Sequence, residues 1–245
     1  ALEMENWGYR VYLPSLYGDP IGEDSAYGYN KTLSSVKLLK KDGRWNPVAT
    51  DTFGPITDEI SELARAVSRA EGGRKIAVFG NSLTGNVPIS LLDESSVRLA
   101  VIGQPAAPVP RMHEIMMRLP RSEKKRTALS MSDEEWDGVV RAMKRDSRKR
   151  IIGFHYVSDP IASIERFDAL HERLGQSGLS RRFKAFVLEG ENSTWSDEKP
   201  WAITDVTAEP TKMLTPHSTY IDAQDLDDRA WYRKQLRSAL SKVSW

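Results

Sequence analysis

Short apolar runs alternate with segments of helical periodicity along most of this 245-residue chain. The first apolar run, residues 9–13, ends at Pro14 and predicts a strand. Residues 33–40 allow one short helix. A longer helix is then predicted, and it ends at the glycines at 72 and 73. Its apolar side chains at helical spacing are Ile56, Ile60, Leu63, Ala64 and Val67.

The remaining pattern predicts four more strands, at residues 76–79, 97–102, 151–157 and 183–188. Helices are predicted at 87–92, after Ser132, from Pro160 to Leu174, and through Trp231, Leu236 and Leu240. Strands that alternate with helices predict an α/β fold, with a mostly parallel sheet covered by helices on both faces. At this length, residues 1–245 are expected to form a single domain.

Three long stretches interrupt this alternation and are predicted to be insertions, at about 17–55, 108–148 and 189–216. The first is rich in Gly, Asp, Asn and Pro, and the last is expected to be a polar loop that contains Trp195 and Trp201. The middle stretch carries the basic clusters 124–126 and 148–150. Because acidic residues interleave with these clusters, a solvated helix face is favoured over a nucleic-acid site.

The composition argues against several classes of function. Lys plus Arg is 35 and Asp plus Glu is 34, so a net charge of +1 gives no reason to expect nucleic acid or an acidic membrane as a partner. The absence of cysteine excludes disulfides, a thiol nucleophile and thiolate-bound metal. No apolar run of about 18 residues and no secretion signal is present, so a cytoplasmic location is expected.

The segment with the clearest chemistry is residues 79–85, Phe-Gly-Asn-Ser-Leu-Thr-Gly. A turn between a strand and a helix holds a serine hydroxyl above the carboxyl edge of the sheet, and flanking glycines allow a strained backbone and close neighbours. Ser82 is therefore a candidate nucleophile. The spacing Gly-x-Ser-x-x-Gly is one residue longer than the usual esterase pattern, so an idle serine in a structural turn is the alternative. No lysine follows the second glycine, which excludes a phosphate-binding loop.

A serine nucleophile needs a base and an acid that orients the base. Of the four histidines, His113 lies in the charged stretch, His155 in a strand and His171 in a helix, whereas His217 lies in a loop after the last predicted strand. Asp159 follows a strand directly and is the candidate acid. The alternative is that it has only a structural role and caps a helix that begins at Pro160. The order Ser82, Asp159, His217 is that of α/β-hydrolase triads.

At these residues the chain resembles the dienelactone hydrolase family of α/β-hydrolases. The similarity lies in residues 8–18, in the nucleophile turn 80–85, in the acid segment from Asp159 to Leu174 and in the base segment 217–219. The resemblance implies an α/β-hydrolase fold and hydrolysis of a small carboxylic ester or lactone without a metal or organic cofactor. Ser82, His217 and Asp159 would form the triad, and the backbone N–H of Leu83 would donate to the oxyanion.

The chain also departs from this family. The family commonly has cysteine where this chain has Ser82, and a serine requires His217 as its base throughout. An engineered replacement of cysteine is one alternative. Residues 1–7 resemble the end of a helix that the family places after its opening strands, so those N-terminal strands are expected to be missing, together with the second oxyanion donor. The open alternatives are a catalytically degenerate binding protein and an acyltransferase.

Overall fold

The computed structural model describes residues 2–14, 16, 43–109, 122–190, 199, 201–207 and 226–242. The helices within these ranges are α1 (Leu2–Asn6), α2 (Ile56–Ala70), α3 (Val87–Ser90), α4 (Glu123–Thr127), α5 (Asp133–Arg145), α6 (Glu165–Gln176) and α7 (Leu226–Ser241). The strands are β1 (Ile76–Asn81), β2 (Val97–Gly103), β3 (Arg150–Tyr156), β4 (Phe183–Gly190) and β5 (Ala202–Thr207). None of the helices in the described ranges could cross a bilayer.

The strands form one parallel sheet in the order β1-β2-β3-β4-β5. One face packs against α2, α3, α5 and α6, where the buried sheet residues include Ala100, Ile102 and Ile151. The other face packs against α7, with Leu99, Val101 and Phe154 under Tyr232 and Leu240 of that helix. The predicted α/β fold with a parallel sheet and helices on both faces is therefore confirmed.

Several boundaries follow local signals in the sequence. Ser132 caps α5 by accepting a hydrogen bond from the backbone N–H of Glu135, whose side chain accepts from the backbone of Ser132 in return. Gly72 and Gly73 end α2 with φ angles of 71° and 81°, as their positions predicted. α3 is shorter than the predicted helix at 87–92, because a 3₁₀ turn (Leu91–Asp93) takes over its last residues.

Two predictions on strands and loops were wrong. Residues 9–13 have no regular secondary structure, although their apolar pattern predicted a strand, because the pattern does not supply a neighbouring strand with which to pair. Residues 202–207, predicted to be part of a polar loop, form β5, because their backbone pairs with β4. Other parts of the predicted insertions at 17–55, 108–148 and 189–216 lie outside the described residues, among them the short helix at 33–40 and Trp195.

The described part of the 108–148 stretch contributes to the core. α5 lies between β2 and β3 in the chain and buries Trp136, Val139, Ala142 and Met143. Its charged residues, including Asp133 and Glu134, occupy the other face. The helix is therefore the crossover between two parallel strands, a connection that parallel pairing requires.

A buried lysine ties the start of β3 to the turn before β2. Lys149 is 3% exposed, and its Nζ donates to the carbonyl oxygens of Glu94 at 2.8 Å and Val97 at 2.6 Å. Burial lowers the pKa of Lys149 from 10.5 to about 8. The side chain therefore donates hydrogen bonds to two carbonyl oxygens, while its burial disfavours the protonated amine.

This burial predicts a stability that depends on pH. The unfolded chain keeps the Lys149 proton up to a pKa of about 10.5, so between about pH 8 and pH 10.5 the unfolded state binds more protons than the folded state. The free energy of unfolding should therefore rise with pH in this window. Relative to Lys149→Met, the native chain should gain on the order of 2 kcal/mol between about pH 8 and pH 10. Urea unfolding of both chains at each pH checks this, and a difference that does not change with pH would contradict it.

Candidate active site

The turn that follows β1 has a strained backbone at Ser82. Ser82 begins a 3₁₀ turn (Ser82–Thr84) directly after the strand, with a φ of 54°. Non-glycine residues rarely adopt this left-handed conformation, and it recurs where a strand turns sharply into a helix and presents a side chain. The backbone of Asn81 and the hydroxyl of Thr84 close the turn, since Thr84 Oγ1 accepts from the Asn81 N–H at 3.2 Å and donates to the Asn81 carbonyl at 3.0 Å.

The two glycines of the motif are required by close contacts. A Cβ on Gly80 would lie 2.1 Å from the carbonyl oxygen of Thr84, and a Cβ on Gly85 would lie 2.4 Å from the Cα of Pro105. Neither glycine has a positive φ, so the strained conformation belongs to Ser82 itself. The sequence predicted both close approach and strain at this turn, and the structure assigns the first to the glycines and the second to the serine.

Gly85→Ala should destabilise the fold by at least about 2 kcal/mol, because the added methyl group meets backbone atoms that cannot move aside cheaply. Gly175→Ala is the matched control: it lies in α6, and a Cβ there meets no atom within 4 Å. The control should be neutral or stabilising by up to about 1 kcal/mol. Thermal and urea unfolding measure both. Equal stability of the two variants would show that the close packing of the turn against Pro105 is not needed.

The loop after β2 contacts the turn that carries Ser82. Gln104 is fully buried with a φ of 40°, and its Oε1 accepts from the backbone N–H of Tyr156 at 3.3 Å. Ala106 donates its N–H to the carbonyl of Ser82 at 2.8 Å, and the Asn86 side chain donates to the carbonyl of Ala107 at 3.0 Å. Hydrogen bonds thus connect the Ser82 turn and the residues after it to the loop that follows β2.

A buried arginine anchors this loop in turn. Arg166, in the first turn of α6, is 0% exposed and donates to the carbonyls of Pro105 at 2.7 Å and Pro108 at 3.1 Å. Two further bonds reach the carbonyls of Ala128 and Lys125, both at 3.1 Å. The guanidinium therefore connects α6 with the loop that contacts the Ser82 turn and with the C-terminal part of α4.

Asp159 lies at the same edge of the sheet. It is 6% exposed, three residues beyond the end of β3, and its Oδ1 accepts from the backbone N–H groups of Ile161 at 2.8 Å and Ala162 at 3.0 Å. The helix predicted to begin at Pro160 begins at Glu165 instead, so Asp159 does not cap it. The carboxylate orders a local turn, because its short side chain reaches the amides two and three residues on.

The sheet register sets the distance between these residues. Asn81 pairs with Gly103 and Gly103 with Phe154, so the Ser82 turn and the loop before Asp159 leave the sheet at the same edge. Neighbouring strands lie about 4.8 Å apart, so the ends of β1 and β3, with β2 between them, are about 10 Å apart. This spacing of the strand ends leaves room for a histidine ring between them.

Two histidines fall within the described residues, and neither has this position. His155 lies in β3, as predicted, and is fully buried, with Nδ1 2.6 Å from the carbonyl oxygen of Tyr156. His171 in α6 stacks on Trp201 with ring centroids 4.4 Å apart, and burial lowers the pKa of its imidazole. His217 and His113 lie outside the described residues, and the predicted base is therefore still a prediction.

Leu83, whose N–H is the predicted oxyanion donor, follows Ser82 in the turn and packs its side chain on the core. Other residues at this edge were not predicted from the sequence. Gln104, Arg166 and Glu189 were missed, although all three are buried polar side chains, Glu189 being 1% exposed near the end of β4. The one signal for Gln104 was its place at the end of an apolar run; Arg166 and Glu189 had none. Within the described part of the chain, no group of three His, Cys, Asp or Glu side chains could hold a metal ion.

Comparison with known proteins finds few similarities. No family model matches the chain, and no curated protein matches it. Among solved structures, the crystal structure of the Paleococcus ferrophilus monoacylglycerol lipase is similar, with a TM-score of 0.41 and 15% sequence identity over 77% of this chain and 76% of that chain. A likeness at this level does not establish a shared activity, so the case for function depends on the residues of this chain.

Proposed function

We propose that this chain is a serine hydrolase of the α/β-hydrolase type, similar to the dienelactone hydrolases, that cleaves a carboxylic ester or lactone. The observation that carries the proposal is the backbone of Ser82. A serine with a φ of 54°, directly after a strand of a parallel sheet, sits between two glycines that only close packing explains. A strained turn that is braced by its neighbours is typical of residues that must present a reactive group.

In the proposed reaction, Ser82 Oγ attacks the carbonyl carbon of the ester while His217 accepts the hydroxyl proton. The negative charge that develops on the carbonyl oxygen is stabilised by the backbone N–H of Leu83. His217 then donates the proton to the leaving alcohol, and an acyl-enzyme remains on Ser82. Water, deprotonated by His217, hydrolyses the acyl-enzyme and restores the serine.

Asp159 is assigned to orient His217 and to stabilise its charged form. Its Oδ1 accepts from two backbone amides, and this fixes the carboxylate at the edge of the sheet where the proposed base must lie. The separation of about 10 Å between the two strand ends leaves room for one imidazole ring between Ser82 and Asp159. The support for this assignment is the position of the carboxylate; the position of His217 comes from the sequence alone.

Labelling with a fluorophosphonate tests the proposal, because this reagent forms a stable adduct only with an activated serine. We expect a single adduct on Ser82 by mass mapping, and loss of labelling in His217→Ala. Ser130 provides an internal control: it also has a positive φ, of 56°, but its hydroxyl donates to the carbonyl of Ala49 at 3.0 Å. Folded protein that gains no adduct, or that is labelled equally at Ser130, would refute the proposal.

A further inference from the structure

A chain of hydrogen bonds leads from Arg166 to the Ser82 turn. Nη1 of Arg166 donates to the carbonyl oxygen of Pro105 at 2.7 Å, and the N–H of Ala106 donates to the carbonyl oxygen of Ser82 at 2.8 Å. The carbonyl of Pro105 and the N–H of Ala106 belong to one peptide group, because a peptide bond joins the carbonyl carbon of one residue to the nitrogen of the next. That single group therefore links the guanidinium to the turn.

The same relation holds one step further along the chain of bonds. The carbonyl of Ser82 and the N–H of Leu83 also form one peptide group, and this N–H is the proposed oxyanion donor. In a planar trans peptide group the C=O and N–H bonds point in opposite directions, so a bond that fixes the oxygen also fixes the direction of the N–H. The Ser82 carbonyl is fixed by two donors, since it also accepts from the N–H of Gly85 at 3.0 Å. The loop and the turn together therefore set the direction of the Leu83 N–H.

The positive charge at the start of this chain strengthens the bonds that follow it. A guanidinium N–H donates a stronger hydrogen bond than a neutral amide does. A carbonyl that accepts such a bond draws electron density from its own peptide nitrogen, and the N–H on that nitrogen becomes a better donor. Because Arg166 is 0% exposed, bulk water neither competes for its N–H groups nor screens its charge. The polarisation therefore passes from the Pro105–Ala106 peptide group to the Ser82–Leu83 peptide group.

We infer, on the basis of the proposed function, that Arg166 is a positioning residue for the oxyanion donor. Through two peptide groups in series it orients the N–H of Leu83 and makes that N–H a stronger donor to the charge that develops on the substrate. The alternative is a purely structural role, since Arg166 also donates to the carbonyls of Lys125 and Ala128, both at 3.1 Å, and so holds the C-terminal part of α4.

A pair of substrates separates these two roles. In a thionoester, sulfur replaces the carbonyl oxygen of the ester, and sulfur accepts hydrogen bonds only weakly. The ratio of ester to thionoester turnover therefore reports how strongly the enzyme stabilises the oxyanion. A smaller folded fraction lowers both rates by the same factor and leaves the ratio unchanged. The two substrates are nitrophenyl acetate and nitrophenyl thionoacetate.

Arg166→Met removes the charge and the hydrogen bonds but keeps a long side chain in the buried site. We expect kcat for the ester to fall about tenfold with KM within about threefold, since complete loss of one oxyanion donor costs about a hundredfold or more. The ratio of ester to thionoester turnover should fall at least about threefold. Arg166→Lys keeps the charge and should recover part of this ratio.

Lys149→Met is the matched control. Lys149 is also a buried cation that donates to two carbonyl oxygens, those of Glu94 and Val97, but it lies at the amino edge of the sheet, away from the Ser82 turn. Its loss should leave the ratio of ester to thionoester turnover unchanged. Circular dichroism establishes that each variant is folded.

A backbone variant breaks the same chain without altering Arg166, and it decides the question if Arg166→Met does not fold. Replacement of Ala106 by lactate, introduced as an α-hydroxy acid, exchanges the backbone N–H for an ester oxygen and keeps the methyl side chain. The bond to the Ser82 carbonyl is then lost. The ratio of ester to thionoester turnover should fall at least about threefold, as in Arg166→Met.

Three results would overturn this inference and leave the hydrolase proposal intact. These are a native ratio in folded Arg166→Met, a native ratio in the lactate variant, and an equal fall of the ratio in Lys149→Met. A native chain with no ester turnover and no fluorophosphonate adduct on Ser82 is a different outcome. It would refute the proposed function, and the role of Arg166 with it.

Discussion

Ser82→Ala should lower ester turnover by about a millionfold, the loss that follows when the nucleophile of a serine hydrolase is removed. In the proposed reaction no acyl-enzyme can form without the hydroxyl, and water must attack the substrate directly. The fold should be almost unaffected, because alanine bears the same left-handed backbone strain as serine at a φ of 54°. Initial rates with a panel of nitrophenyl esters and small lactones, together with a thermal melt, measure both effects.

Ser90→Ala is the matched control for this variant. Ser90 ends α3, on the element that follows the nucleophile turn, and its hydroxyl donates to the carbonyl of Val87 at 2.8 Å. Its loss should leave turnover within about twofold and cost at most about 1 kcal/mol of stability. A Ser82→Ala variant that keeps its turnover would place the nucleophile elsewhere, and equal losses in both variants would point to a structural effect of the region.

Asp159→Asn should lower turnover by about ten-thousandfold, because an amide can no longer stabilise the charged form of the base or hold it in the correct tautomer. The amide oxygen can still accept from the N–H groups of Ile161 and Ala162, so the local turn should survive. We expect a loss of stability of about 1 kcal/mol, since the two bonds lose their charge assistance. Turnover and urea unfolding on the same preparations test the two expectations together.

Asp159→Ala separates the two roles of this carboxylate. It removes both hydrogen bonds to the turn and should cost about 2 kcal/mol more than Asp159→Asn, while its turnover should be equally low. If Asp159→Asn retains full turnover and only Asp159→Ala is impaired, the residue orders the turn and has no part in catalysis. Equal stability of the two variants would instead show that the turn does not need the side chain.

The accuracy of the sequence-based predictions follows the range of the interactions involved. β2 and β3 were predicted within about one residue at each end, because a continuous apolar run between turn signals is typical of a buried parallel strand. α2 and the cap of α5 depend on contacts within a few residues, and both were confirmed. Residues 9–13 have the side-chain pattern of a strand but form no backbone ladder. Residues 202–207 have only a weak strand pattern, yet their backbone pairs with β4.

The candidate site divides in the same way. The motif around Ser82 was visible because glycine, serine and a preceding apolar run are neighbours in the chain. Arg166 was not visible, because its role depends on carbonyl groups of Pro105, Pro108, Lys125 and Ala128, which lie about 40 to 60 residues away in the sequence. Nothing in the local pattern around an arginine at the start of an amphipathic helix indicates a buried guanidinium.

The sequence by itself determined the layered α/β fold, the turn that presents Ser82 and the placement of Asp159 after a strand, since periodicity and turn chemistry are properties of adjacent residues. Only the tertiary structure decided that neighbouring atoms occupy the space where a Cβ on Gly80 or Gly85 would lie. It also decided that Asp159 orders a local turn and does not cap a helix. It decided as well that, among the described residues, an apolar groove lies beside β1. These features depend on which segments pack together, and hydrogen bonds and close contacts between distant parts of a chain leave no periodic trace in its sequence.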